Sequence, residues 1–104
     1  MSVSLLVDMK DEKENAMVHV AGEATFGKYW VPAAKQRGLR WVPQFQDGAF
    51  FSVDDLPAVI AEFRVLRMTF ESTEKTADLV ERVDAILDLL TKLDVSKVVT
   101  MWCG

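Results

Sequence analysis

The sequence predicts an α+β two-layer sandwich, with a mixed or mainly antiparallel sheet of about four or five strands and about three helices on one face. Three observations carry that prediction. Near the start, Val3, Leu5 and Val7 alternate with Ser4, Leu6 and Asp8, the period of a strand with one buried face. Further on, Leu79, Val80, Val83, Ile86, Leu87, Leu90 and Leu93 recur at helical spacing. Strand and helix patterns do not alternate regularly along the chain, which argues against a doubly wound parallel sheet. With 104 residues, 50% of them hydrophobic, one domain over residues 1–104 is expected, with enough apolar surface to offset the entropy of ordering it.

Taken in order, the first element is a strand over 3–8, followed by a solvated turn over 9–15. A short strand is predicted over 16–21, where Met17, His19 and Ala21 alternate with Val18 and Val20, although Ala16, Met17, Val20, Ala21 and Ala24 also share a helical face. A helix runs from about Glu23 to Arg37, with Phe26, Tyr29, Trp30, Ala33 and Ala34 on one side. Lys35 and Arg37 lie in its last turn, and Gly38 supplies a left-handed cap. Pro32 should kink this helix or start a second short one.

Leu39 to Phe45 and Ala49 to Ser52 flank Gln46-Asp47-Gly48, and Asp-Gly between aromatic-rich runs predicts a hairpin. Pro43 would confine its first strand to an edge or a bulge. Ser52, Asp54 and Asp55 then open a helix that tolerates Pro57 early and buries Leu56, Val59, Ile60, Phe63 and Leu66. Glu71 to Lys75 is a polar break in which Ser72 or Thr73 can cap the next helix. That helix opposes its leucine-rich stripe with Glu81, Arg82, Asp84, Asp88 and Lys92, and Asp78 with Arg82 and Asp88 with Lys92 are favourable i, i+4 pairs. The β-branched and aromatic run 97–102 closes the chain as a strand.

Twelve Lys and Arg against 16 Asp and Glu give a net charge of −4, which leaves no electrostatic footprint for nucleic acid or anionic lipid. Charged residues interrupt every apolar run, so no membrane span is expected, and the start lacks the basic region of a secretory signal. The lone Cys103 cannot close an internal disulfide. A cytoplasmic protein is the resulting expectation. One histidine and one cysteine do not furnish a metal site, and neither glycine-rich nucleotide fingerprint is present, so no metal or cofactor is expected.

No catalytic residue is assigned. His19 and Cys103 could meet only if strands 16–21 and 97–102 were neighbours, and a thiol so near the end is poorly placed to be preorganised. Glu23, Asp47, Asp54 and Asp55 all lie near element ends, where each also has a turn or capping role. The feature above background is aromatic: Tyr29, Trp30, Trp41, Phe45, Phe51 and Trp102 are the candidate binding residues, with Phe26 and Phe50 beside them. A small core with helices on one face cannot bury all of Trp41-x-Pro43-x-Phe45 and the Phe50/Phe51 pair, so some aromatic surface should remain on the sheet.

Three readings follow. The first is a non-enzymatic protein that associates with itself, as a homodimer, or with another protein through the aromatic sheet and hairpin surface. In class alone, a compact acidic α+β domain of this kind resembles small stand-alone inhibitor and immunity proteins, without sharing a residue motif with them. The second is a small-molecule binding module, with a pocket between the Tyr29/Trp30 helix and the sheet that takes an apolar or cationic ligand. The third is a small enzyme using His19 or a carboxylate pair such as Glu23 with Asp47.

Overall fold

The structure, a computed structural model, describes residues 2–72 and 77–104. Four strands, β1 (Ser2–Met9), β2 (Ala16–Gly22), β3 (Ala49–Phe51) and β4 (Val98–Cys103), form one antiparallel sheet in the order β2-β1-β4-β3. Alternation in β1 puts Val3, Leu5, Val7 and Met9 into the core and turns Leu6 and Asp8 outwards. Two bulges modify this simple pattern. Val20 is the extra residue opposite Val3 and Ser4, and both Val20 and Ala21 are buried. Val99 is the extra residue opposite Asp8 and Met9, and both Val99 and Thr100 are exposed.

Helix α1, residues 23–36, is α-helical over Glu23–Thr25 and Val31–Gln36, with a π-turn over Phe26–Trp30 between them. The Val31 amide donates to the Phe26 carbonyl five residues back. This wide turn lies directly before Pro32, whose ring lacks an N–H and would crowd the carbonyl four residues earlier in a regular helix. The expected kink is thus resolved as one π-turn. Gly38 closes α1 at φ +69°: its amide donates to Lys35 and the Leu39 amide to Ala34, the two bonds of a Schellman cap.

The predicted hairpin over 39–52 does not form. Only its second half is a strand; the first half contains a short helix, α2 (Trp41–Gln44). Its cause is a long-range contact. The Glu62 carboxylate accepts from the Trp41 amide at 2.9 and 3.0 Å and from the Val42 amide at 3.1 Å. The third position is Pro43, which has no amide to satisfy. A carboxylate from another helix therefore caps this end, and strand-like residues become helical. Gly48, at φ +94°, ends the turn that follows: its amide and that of Asp47 both donate to the Gln44 carbonyl.

Ser52 and Asp55 form the expected start of the next helix, with the Asp55 carboxylate accepting from the Ser52 amide at 3.0 Å and its hydroxyl at 2.9 Å. A 3-10 turn, Val53–Asp55, leads into α3 (Leu56–Glu71). Thr73, the alternative cap for the following helix, lies outside the described residues. Helix α4 (Ala77–Thr91) buries Val83, Ile86 and Leu90 and packs along α3 and against β2. Arg67 on α3 joins Asp84 on α4 at 2.5 Å and Glu71 at 3.0 Å, and Lys92 joins Asp88 at 2.7 Å. No Asp78–Arg82 ion pair forms among the described residues. Such exposed pairs contribute little; the core between helices and sheet, centred on Leu5, Phe26, Trp30, Phe45, Phe63 and Leu66, holds the layers together.

Candidate functional site

The covered face of the sheet is fully occupied. Phe26 stacks on Trp30 at 5.8 Å between ring centroids, and Phe70 meets the indole edge-on at 5.3 Å. Phe45 stacks on Phe63 at 6.2 Å and leans on Phe51 at 5.9 Å. Trp30, Phe45 and Phe51 are therefore core residues. This corrects two expectations. The space between α1 and the sheet, expected to hold a pocket walled by Tyr29 and Trp30, is filled by the rings themselves, and Phe45 does not lie on a hairpin surface. The buried indole N–H of Trp30 has no hydrogen-bond partner among the described residues. Trp41 is half-buried against Phe45 and Phe51, while Tyr29 is exposed on the π-turn with the Lys28 ammonium 5.3 Å from its ring.

The opposite face has no layer over it. In the ladder, Met17 pairs with Leu6, Leu6 with Trp102, and Trp102 with Phe50. These four side chains form one apolar row across all four strands. Met17 and Phe50 are each 68% exposed and Leu6 39%. Trp102 is half-buried, its ring 4.7 Å from that of Phe50 and lying over the backbones of Gly48 and Gly104. A Cβ at Gly48 would collide with the indole, so this glycine is required by close approach as well as by its positive φ. The Val99 bulge adds a further apolar side chain beside the row, 60% exposed.

The surroundings of the row are polar yet almost uncharged. On one side lie Asp8 and Thr100, joined by a 2.9 Å hydrogen bond from the threonine hydroxyl to the carboxylate. On the other lie Ser4 and, across from it, His19. No Lys or Arg occurs within the four strands. In a chain with 27% charged residues, Asp8 is the one charged residue within the four strands, while Asp55, Glu23 and Asp47 lie at the rim. A depression of about 440 Å3, lined by Phe50, Val99, Thr100 and Asp55 among others, marks the place where β3 stops and β4 continues.

Of the predicted site residues, only Trp102 belongs to the row. Phe50, outside the six candidates, belongs to the Phe50/Phe51 pair expected to leave aromatic surface on the sheet, and it is the exposed member; Leu6 and Met17 were not candidates, although Leu6 carries a signal as the one apolar side chain among Ser4 and Asp8 on the outward face of β1. The catalytic alternatives separate. His19 lies on the open face of β2, Cys103 in the core on β4, and β1 runs between them. Glu23 and Asp47 do converge, with Gln46 and Trp102, on a recess of about 170 Å3, which is smaller than the few hundred Å3 of most ligand pockets.

Burial pushes the Cys103 thiol up to about 12 from its ordinary 9.0. Iodoacetamide at pH 8 is therefore expected to leave the native protein unmodified and to label it as it unfolds in urea, which mass spectrometry would read directly. The raised value has a consequence for stability. The buried neutral thiol contributes fully below pH 9, and its contribution is lost progressively as pH rises from 9 towards 12, because the unfolded chain ionises first. No group of His, Cys, Asp and Glu suited to a metal occurs among the described residues, and none of their helices is long and apolar enough to cross a membrane. Comparison with protein-family models, with curated proteins and with solved structures finds no match in any of the three.

Proposed function

We propose that this protein works by association, with the open face of the sheet as its contact surface. The observation that carries this reading is the apolar row Met17, Leu6, Trp102 and Phe50, across four strands that contain a single charged residue. Exposed apolar side chains are ordinary when scattered, but a contiguous row ringed by polar groups is the pattern of an interface. Depletion of charge at the centre and enrichment in aromatic residues and methionine are the compositional marks of such surfaces. Trp102, held over two glycines, has few rotamers to lose on binding and is suited to act as the anchor. A single buried thiol agrees with a reducing compartment or with indifference to redox state, and we propose the cytoplasm as the place of action.

The test is a photo-crosslink in living cells, with benzoylphenylalanine placed at Phe50, at Met17 or, as a control, at Met68. Met68 is 70% exposed on α3 and lies off the sheet. Adducts of defined mass from positions 50 and 17, and none of that mass from 68, are expected. Equal or absent labelling at all three positions would remove the reading.

A further inference from the structure

We infer that the open face is covered by a second copy of this chain, packed sheet on sheet about a two-fold axis that runs along the apolar row. The inference rests on the association reading above and names its partner. Three features of the face support it.

The first is its polarity pattern. A two-fold along the row lays Met17, Leu6, Trp102 and Phe50 on the same four residues of the partner and exchanges the flanking polar rows. Asp8, an acceptor, then comes over Ser4 and next to His19 of the other copy, both able to donate, so the face is complementary to itself. The second is charge. Two chains of net charge −4 repel least where the contact surface carries little charge, and the four strands hold no Lys or Arg and one carboxylate, Asp8, already hydrogen-bonded to Thr100.

The third is size. At about 4.8 Å per strand and 3.3 Å per residue, a patch four strands wide and some six residues long presents roughly 500 Å2 once side-chain relief is counted. A pair of such faces buries about 1,000 Å2, the lower bound for a specific interface and the size class of weak, reversible contacts. Sheets packed this way lie ~10 Å apart with their strands within about 30° of alignment.

Sedimentation equilibrium of the purified full chain, from about 5 μM to about 1 mM, is the deciding experiment. The expected result is a mass that rises from one chain towards two. Phe50→Asp and Met17→Asp are each expected to weaken the dimer about thirtyfold or more, the loss of ~2 kcal/mol that marks an anchor residue. Both positions are 68% exposed, so the variants keep the core, as their unchanged circular dichroism should confirm. Met68→Asp, equally exposed elsewhere, is expected to change nothing. One-chain mass up to 1 mM, or a dimer that Met68→Asp weakens as much as the face variants do, would overturn the inference. If the association reading itself were wrong, the cellular crosslinks at 50 and 17 would also vanish. A monomer that still gives those crosslinks, at the mass of another protein, ends the second-copy inference alone.

Discussion

Phe45→Ala lowers the unfolding free energy by an expected 3–5 kcal/mol, roughly 15–30 °C in Tm for a domain of this length. Phe45 has no exposed surface and lies among Phe63, Phe51 and Trp41 at ring-centroid distances of 6.2, 5.9 and 6.3 Å. Truncation opens a cavity where α2, β3 and α3 meet, and none of those rings can close it without leaving its own partners. Urea denaturation followed by tryptophan fluorescence measures the loss. A surface contact residue would behave differently, with stability kept and association lost. A cost under about 1 kcal/mol would show that Phe45 is not the centre of this junction.

Glu62→Ala is expected to cost about 3 kcal/mol or more. Among the described residues Glu62 is the one buried charged side chain, and its carboxylate takes both amides at the start of α2. Removing it leaves two N–H groups without an acceptor in a largely dry place, at about 1–3 kcal/mol each. It also removes a negative charge from a helix N-terminus. Glu62→Gln keeps one acceptor oxygen but sets an NH2 group against the other amide, and should lose about half as much. Amide hydrogen exchange provides a second readout: Trp41 and Val42 should exchange faster in Glu62→Ala while the β1 amides, far from the change, are slowed or quickened only through global stability. Wild-type stability in Glu62→Ala would show that α2 is held by its apolar side chains alone.

The same carboxylate explains where the sequence misleads. Trp41-x-Pro43-x-Phe45 followed by Asp47-Gly48 has the period and the turn of a hairpin, and no residue within that segment says otherwise. The deciding partner lies some 20 residues later. A trace was present there: Glu62 occupies a buried position of α3 among Val59, Phe63 and Leu66, and a charge on an apolar stripe needs a partner. Local signals did suffice elsewhere. The Gly38 cap and the Ser52/Asp55 capping box form where residue types place them because each is satisfied within a few residues, and the alternation in β1, the leucine stripe of α4 and the closing strand form there because their apolar period matches the face each buries. The open-face row was legible only as a surplus of aromatics. Its four members come from four strands, so they meet only once the order β2-β1-β4-β3 is known, and that order depends on contacts between distant parts of the chain.

That order also sets a timetable for synthesis. The two central strands are the first and last in the chain; Asp8 and its partner Thr100 are 92 residues apart. At about 5–20 residues per second, a ribosome that has made β1 needs roughly 5–20 s more to deliver β4. For all of that time β1 can pair with β2 on one side only, and the unpaired backbone of its other edge, in a strand that also carries Val3, Leu5 and Val7 on one face, is open to any extended chain nearby. The nascent protein is thus most prone to aggregate before β4 emerges, and slowing translation between the codons of β2 and β4 should lower soluble yield more than slowing it before β1 is complete.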